Sequence, residues 1–348
     1  MSGLIPETKI SRYRAFWQRA ETDRALVGTT ISTFPSVRAI RGEGILQPES
    51  IDIAEHLREQ DEEWEQWREA SGDAIWTALP LWAFPWHLAI AGSPVRLDGG
   101  NLWGLPALDD WTQLERVHFD PTNPWYLKYR QILLALVEHA AGRYPVGLGP
   151  LLYAPPDGAM QLRGQDRLAM DFYDAPERVE LLIERLTALV ADATDALYAL
   201  TPSYGGGYAG SSRYFWAPGQ LVEGAEDVTF MTSPELHWRF VVPAHRALGR
   251  RFSHYFVHLH SAQLHTVANL LEVEEIAALE VTPDYGEDLR PYLPLFGQIL
   301  ERKPLLLHGV ISIESARELL RALPSRGLAL FCRCNSPEEA RTVLRALL

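Results

Sequence analysis

Cysteine, lysine and long apolar runs are all scarce in this sequence. The 348 residues include two cysteines, Cys332 and Cys334, which are separated by a single residue. Neighbours that close on a strand rarely bond to each other, so we expect no disulfide framework. No stretch reaches the roughly 18 uninterrupted apolar residues that a membrane span needs. Residues 1–22 also lack the apolar region of a secretory signal. We therefore expect a cytoplasmic protein without a membrane partner.

The charge balance argues against nucleic acid as a partner. The net charge is −13, and a phosphate backbone would be repelled by it. Lysine is limited to Lys9, Lys128 and Lys303, so arginine carries almost all of the positive charge. Arginine can bind a carboxylate or a phosphate with two hydrogen bonds. A general preference of the genome for arginine over lysine is the simpler interpretation of this excess. We expect a small-molecule substrate.

Apolar, strand-like runs alternate with helical patterns along the chain, which is typical of a parallel sheet. Eight such units with right-handed crossovers would close a barrel. The predicted fold class is therefore α/β, as a single (β/α)8 TIM barrel over residues 1–348. Residues 82–110 form a long excursion at its mouth. The predicted strands are residues 26–32, 73–79, 145–153, 203–209, 255–262, 276–282, 304–310 and 327–332.

Four segments, in this order, resemble the uroporphyrinogen decarboxylase superfamily, whose barrel enzymes include porphyrinogen decarboxylases and methyltransferases. The resemblance covers most of residues 12–348 and is clearest in the second half. The matching segments are residues 147–151 (Gly-Leu-Gly-Pro-Leu), 168–177 (Leu-Ala-Met-Asp-Phe-Tyr-Asp-Ala-Pro-Glu), 227–240 followed by Pro243, and 259–261 (Leu-His-Ser), which resembles the family's Leu-His-Ser-Cys-Gly strand end.

The amino-terminal region resembles the methyltransferase-like branch more than true uroporphyrinogen decarboxylases. Those decarboxylases begin with a segment similar to Gly-Arg-Tyr-Leu-Pro-Glu-Tyr-Arg, which places arginines against the tetrapyrrole, and nothing here matches it. The resemblance therefore implies methyl transfer from a methylated small molecule or a corrinoid protein. The residues that carry it are Arg12, Arg14, Asp23, Arg24, Val27 and residues 89–95.

Polar side chains are concentrated at the carboxyl ends of the later predicted strands, where barrel active sites lie. His258 and His260 end the fifth predicted strand, and period-two alternation places them on one face. Imidazole, thiolate and carboxylate are the ligand types that zinc takes. We predict His260, Glu280 and Asp227 as catalytic residues, and we predict that a zinc site would draw on His260, Cys332, Cys334, Glu280 and His308.

In the methyltransferase branch that this sequence resembles, zinc is held by a His-x-Cys pair on the fifth strand and a cysteine after the eighth. The zinc deprotonates the thiol that receives the methyl group. His260 matches the histidine, but Ala262 stands in the place of the paired cysteine. Cys332 or Cys334 would then supply a thiolate. Alternatively, both cysteines pack as small hydrophobic side chains and the site has no cofactor.

Aromatic and basic residues near the predicted mouth are candidates for binding the substrate. Residues 204–219 form a glycine-rich aromatic segment, in which Gly205, Gly206 and Gly207 would let the backbone approach a ligand. A loop that only packs on itself is the alternative. After the second predicted strand, aromatic residues either stack on a ring or cover the barrel mouth. The predicted substrate-binding residues are Tyr208, Arg213, Tyr214, Trp216, Trp86 and His87.

Three other functions stay open on the sequence. Decarboxylation of a porphyrinogen or another polycarboxylate needs arginines for the carboxylates and an acid for the intermediate, and Arg213, Asp227 and Arg163 would serve. A ligand-binding barrel without chemistry would account for Ala262 and for the missing decarboxylase motif. A carbohydrate-active barrel would rest on the 11 tryptophans and Glu280, but a second acid at the same rim is not evident.

Overall fold

The computed structural model describes residues 5–31, 37–211 and 213–348, and that part of the chain contains eleven strands. Ser32, the last residue of the first predicted strand, lies outside the described residues. The strands are β1 Leu26–Ile31, β2 Gly44–Ile45, β3 Val95–Asp98, β4 Asn101–Gly104, β5 Tyr208–Gly210, β6 Phe215–Ala217, β7 Leu221–Ala225, β8 His254–His260, β9 Ala278–Thr282, β10 Leu305–Gly309 and β11 Leu328–Cys334.

The same ranges contain thirteen α-helices, together with single turns of 3₁₀ helix and one π-helical turn, His237–Val241. No helix among them is long and apolar enough to cross a bilayer. The helices are α1 Glu7–Gln18, α2 Ile53–Trp67, α3 Trp86–Ile90, α4 Pro124–Ala140, α5 Pro155–Arg163, α6 Gln165–Asp174, α7 Pro176–Tyr198, α8 Pro234–Leu236, α9 Val242–Arg251, α10 Val267–Leu271, α11 Leu293–Arg302, α12 Ile313–Ala322 and α13 Pro337–Leu347.

Six strands form one fully parallel sheet in the order β1-β11-β10-β9-β8-β7. The first and last strands of this sheet along the chain are therefore neighbours, as the predicted barrel requires. Helices follow the strands and cover the outer face, so the α/β class is confirmed. The predicted fifth to eighth strands correspond to β8, β9, β10 and β11, with ends that differ by at most two residues.

The second and third predicted strands are held by isolated bridges instead of continuous ladders. The segments at residues 72–78 and 145–151 lie between β1 and β7 on the side that the six-stranded sheet leaves open. Two of the bridges are parallel, and the one at Gly28 is antiparallel. A Cβ at Gly28 would lie 2.7 Å from the backbone nitrogen of Ala74, so this close approach needs glycine. The bridges join Gly28 to Gly72, Ala78 to Val146 and Leu151 to Gly224.

The fourth predicted strand, residues 203–209, is wrong. Gly205 and Gly206 have positive φ angles and turn the chain there, and β5 pairs with β6 as an antiparallel hairpin outside the main sheet. The fourth parallel strand is β7 instead. The sequence concealed it because Glu223 and Gly224 interrupt the apolar pattern of that strand.

The excursion at residues 82–110 contains α3, β3 and β4. The two strands join β2 in a small antiparallel sheet, which is separate from the parallel one. Because these strands pair with one another, the segment is structured and is not the open loop that its proline and glycine content favours.

Helix α1 covers the amino-terminal end of the parallel sheet. The hydroxyl of Tyr13 donates to the carbonyl of Asp73 over 3.0 Å, and the indole of Trp17 donates to the carbonyl of Trp216 over 2.9 Å. The ring of Trp17 also packs edge-on against His254, the first residue of β8. The opposite, carboxyl end of the sheet carries the polar side chains of His258, His260 and Glu280.

Asp73 fastens α1 and β1 together. Its buried carboxylate accepts a hydrogen bond from the backbone of Val27 over 2.9 Å and is paired with Arg12 and Arg24. Removing one partner of a buried pair leaves the other charge uncompensated.

We expect Asp73→Ala to lower the free energy of unfolding by about 3 kcal/mol, because two guanidinium groups lose their partner. Urea unfolding followed by tryptophan fluorescence measures this. Asp98→Ala, which breaks an exposed pair with Arg96, is the control and should change stability by less than about 1 kcal/mol. Equal effects of the two substitutions would contradict the role given to Asp73.

Candidate active site

Strands β8 and β9 bring polar side chains to one level near the carboxyl end of the sheet. Their register places His258 beside Glu280. Successive side chains on a strand point to opposite faces, so His258 and His260 share the inner face and the buried Leu259 lies on the outer one. Asp227 follows the neighbouring strand β7 by two residues and reaches the same place.

Glu280 is completely buried and lies at the centre of the cluster. It accepts hydrogen bonds from Nδ1 of His258 and, over 2.7 Å, from the hydroxyl of Thr282. Nε of Arg213 lies 3.6 Å from its Oε1. Burial raises the pKa of Glu280, but the charge of Arg213 and the contact with His258 outweigh it and lower the pKa to about 2. The carboxylate is therefore ionised at neutral pH.

This ionised carboxylate fixes the tautomer of His258. A carboxylate can only accept hydrogen bonds, so Nδ1 of His258 carries a proton, and Nε2 is the nitrogen that offers a lone pair when the ring is neutral. That Nε2 lies 3.2 Å from Nε2 of His260. The carboxylate of Asp227 completes the group, since one ligand atom from each of the three residues lies within 4.8 Å of the others.

His260 is more accessible than His258, with a side chain 39% exposed. Partial burial lowers its pKa, and the proximity of His258 lowers it further, so the ring is neutral at pH 7. Its Nε2–H donates to His258. With a cation between the rings, that proton would move to Nδ1, which lies 3.9 Å from Asp284.

Arg213 is carried into the cluster by the β5–β6 hairpin. Its Nε lies 3.3 Å from Oε1 of Glu223, and its Nη2 lies 3.0 Å from Nδ1 of His258. The side chain is buried. Arg213, predicted to bind substrate, is therefore used in pairing with internal carboxylates.

His308 lies beside Glu280 on the next strand, as predicted. Its Nε2 is 2.7 Å from the hydroxyl of Thr30, and its Nδ1 is 3.8 Å from the carboxylate of Glu280. Burial, followed by the charge of Arg213, places the pKa of His308 well below its usual value. This neutral ring lies deeper than His260, behind the carboxylate.

The balance of charged side chains in the cluster favours binding of a cation. Glu223, Glu280 and Asp227 face the guanidinium groups of Arg213 and Arg333. Apart from the histidines, three acidic side chains therefore meet two basic ones, and acidic groups outnumber basic groups. Nitrogen and oxygen donors are within zinc's range, and two ligands at 2.0–2.1 Å from one tetrahedral ion would be about 3.3 Å apart. The histidine nitrogens are 3.2 Å apart.

Cys332 and Cys334 do not join this cluster. Strand alternation turns Phe331 inward, where its ring packs on Phe215, and turns Arg333 toward Glu280. Both cysteines therefore face the helical layer, where burial raises the pKa of each thiol to about 12. Among the described residues, no group with metal-ligand spacing includes either thiol.

The aromatic residues predicted to bind substrate lie mostly in the core. Trp216 is completely buried, donates to the carbonyl of Tyr204 over 2.8 Å and packs near Tyr13. Tyr214 is also buried. Tyr208 is half-buried and packs edge-on against Tyr198. These contacts assign the three side chains to packing around the hairpin.

Trp86 and His87 line a small pocket of about 10 Å³, together with Trp82 and Tyr153. Trp86 stacks on Tyr129 with ring centroids 4.6 Å apart. Burial lowers the pKa of His87 to about 4. Of the six residues predicted to bind substrate, these two line this small pocket, although both side chains are themselves buried.

Two buried carboxylates that the sequence analysis missed hold Asp227 in place. Asp157, on α5, accepts hydrogen bonds from the backbone nitrogens of Asp227 and Val228 over 2.9 and 2.6 Å. Burial and the nearby Asp227 raise the pKa of Asp157 well above its usual value. The second is Glu226, the residue before Asp227, whose carboxylate is held by His237, His245 and Thr266. For Glu226 the available signal was a group of acids, Glu223, Glu226 and Asp227, in the otherwise apolar and small-residue stretch 221–228.

Comparison with known proteins identifies the fold. No family model matches the chain, and no curated protein matches it in sequence. Among solved structures, it is similar to a methyltransferase from Methanosarcina mazei, with a TM-score of 0.66 at 13% identity over 97% of this chain and 98% of that chain. A structure described as a dihydrodipicolinate synthetase from Pseudomonas aeruginosa matches at a TM-score of 0.34 and 11% identity, over 94% and 82% of the two chains. The first match, with the parallel sheet, supports the predicted TIM-barrel-like α/β fold.

The depressed pKa of Glu280 predicts an acid-sensitive step in stability. Its stabilising contribution is fully present above the unfolded-state value of 4.5 and is lost as the pH falls toward about 2. Over that window we expect the wild-type protein to lose about 3 kcal/mol more than Glu280→Gln does. Urea midpoints at several pH values between 7 and 2.5 measure the difference. Glu69→Gln, at an exposed position, should follow the wild-type profile; parallel profiles for wild type and Glu280→Gln would refute the assignment.

Proposed function

We propose that the protein is a methyltransferase-like barrel enzyme related to the uroporphyrinogen decarboxylase superfamily. The observation that carries this proposal is the convergence of Asp227, His258 and His260 at the carboxyl end of the sheet, where barrel enzymes place their chemistry. The shared fold with a methyltransferase over 97% of the chain supports it. The substrate we propose is a small molecule, with a corrinoid protein as a further candidate for the methyl donor.

We also propose that these three residues hold a zinc ion. The thiolate-containing ligand set of the family does not fit this chain, because Ala262 replaces one cysteine and Cys332 and Cys334 face outward. A set of two imidazoles and one carboxylate fits the donor preference of zinc. When bound, zinc supplies a Lewis acid that lowers the pKa of an acceptor group attached to it.

The residues around the proposed zinc ligands orient them through hydrogen bonds. The Glu280 carboxylate orients His258 through Nδ1, an arrangement that fixes the ring and makes Nε2 a better donor. Arg213 and Thr282 hold Glu280 in turn. In methyl transfer the acceptor loses a proton and gains the methyl group, so the site must stabilise an acceptor anion. An imidazole ligand carries no negative charge, so the two histidines would not reduce the positive charge of the zinc.

Decarboxylation of a polycarboxylate receives less support from the same contacts. Arg163 is paired with Asp171 over 2.6 Å and lies over the ring of Trp111. Arg213 is paired with Glu223 and lies near Glu280. Both arginines that would bind substrate carboxylates are therefore occupied by internal partners.

His260→Ala tests the proposed function. We expect it to keep the fold, because the side chain is partly exposed, and to abolish methyl transfer from free methylcobalamin to 2-mercaptoethanol. Zinc affinity, measured by competition with a chromophoric chelator, should fall by more than the 10–100-fold that loss of an outer partner costs.

His118→Ala is the matched control, because His118 is an exposed histidine outside the cluster. It should leave zinc affinity, turnover and thermal stability unchanged. Retention of wild-type zinc affinity and turnover by His260→Ala would remove the central residue of the proposal. Lost stability with full activity per folded molecule would make His260 a packing residue.

A further inference from the structure

A second buried cluster lies behind the candidate site, around Glu226. This residue stands between the last residue of β7 and Asp227, and its side chain is completely buried. Oε2 accepts hydrogen bonds from Nε2 of His237 over 3.1 Å and from Nε2 of His245 over 2.8 Å. Oε1 lies 3.0 Å from the hydroxyl of Thr266, which also approaches the carbonyl of Gln263. One carboxylate thus joins three separate elements.

Glu226, His237 and His245 have the spacing of a metal site, but their hydrogen bonds exclude one. The amide nitrogen of Asn269 donates to Nδ1 of His237 over 3.0 Å and also to the carbonyl of Pro234. Nδ1 of His237 is therefore an acceptor, and its Nε2 carries the proton. A protonated nitrogen cannot bind a metal ion, and here the proton cannot move to Nδ1 as it can in His260, because Asn269 already donates to that nitrogen.

His245 has the same arrangement. Its Nδ1 lies 2.7 Å from the hydroxyl of Tyr255, and its Nε2 donates to Glu226. Burial raises the pKa of Glu226, but the hydrogen bonds from His237 and His245 outweigh it and lower the pKa to about 2. The cluster is an ionised carboxylate held by three hydrogen-bond donors.

Two of the segments that meet at Glu226, the turn after β7 and the turn after β8, also place ligands of the candidate site. Asp227 is the next residue along the chain. Thr266 ends the 3₁₀ turn Ser261–Thr266, which begins directly after His260. That turn also binds back to the strand end, because the backbone nitrogen of His260 donates to the side chain of Gln263. A displacement of Glu226 would therefore move Asp227 and His260 relative to each other.

We propose that Glu226 is a positioning residue, which sets the separation of Asp227 and His260 by fastening the turn after β7 to the turn after β8. The inference rests on the proposed function in naming zinc as the ligand of that site. Its physical basis does not, because the hydrogen bonds among Glu226, His237, His245 and Thr266 are present without any ligand.

Two substitutions of the carboxylate separate hydrogen bonding from charge. Glu226→Leu fills similar space but leaves the Nε2–H groups of His237 and His245 without an acceptor. In Glu226→Gln, the amide oxygen can face both histidines, and the amide nitrogen can donate to the hydroxyl of Thr266. We expect Glu226→Leu to weaken zinc binding about 10–100-fold and Glu226→Gln to stay within about threefold of wild type.

Leu248→Ala is the matched control for lost stability. Leu248 is completely buried on α9, the helix that carries His245, and its truncation lowers stability by leaving a cavity. It should lower the melting temperature and keep zinc affinity. If Leu248→Ala loses as much zinc affinity as Glu226→Leu at a similar melting temperature, the positioning role is overturned. If Glu226→Leu does not fold, Thr266→Val, which cuts only the link to the second turn, replaces it and should lose about tenfold in affinity.

Hydrogen–deuterium exchange separates this inference from the proposed function. In Glu226→Leu, exchange should increase at residues 226–232 and 261–266 together, whereas Leu248→Ala should leave both segments protected. A wild-type protein that binds no zinc would refute the zinc site, and coupled exchange in the two segments would still support the positioning role. Unchanged exchange at residues 261–266 in Glu226→Leu would refute it.

Discussion

The buried carboxylate of Glu280 is the constraint on which the interior depends. An isolated ionised carboxylate in an apolar interior would be unstable by far more than a folded domain can tolerate, so every neighbouring element supplies a partner. The β5–β6 hairpin brings Arg213, β8 brings His258, and β9 itself brings Thr282. The hydrogen-bonding pattern of the histidines follows from this pairing, because an ionised Glu280 can only accept and His258 must therefore donate to it from Nδ1.

Strands with unbroken apolar runs were predictable, and strands interrupted by polar residues were not. β10 and β11 read as Leu-Leu-Leu and Leu-Ala-Leu-Phe, and the prediction found both. β7 contains Glu223 and Gly224, which are needed for pairing with Arg213 and for close packing on Tyr255, so its pattern resembled a loop. The residues that build the interior cluster were the ones that concealed the strand.

The candidate site was predictable from positions at strand ends but not from strand faces. His260, Glu280 and His308 were found because carboxyl ends of parallel strands meet at one rim. The outward direction of Cys332 and Cys334 depends on which neighbours face inward, and Phe331 and Arg333 decide that through contacts with other strands. Arg213 was identified as chemically important, yet its partners, Glu223 and Glu280, are distant in the chain. Glu226 was missed for the same reason, since its hydrogen-bond donors come from three later elements.

Helix α1 closes the amino-terminal end of the sheet with Tyr13 and Trp17, and this has a kinetic consequence. Molecules that reach the inner cluster must arrive and leave on the same side. In the proposed methyl transfer, the donor and the acceptor would share one entrance, and a donor that is slow to leave would block the exit of the product. Product release would then be ordered, and the slower of the two release steps would limit the turnover rate.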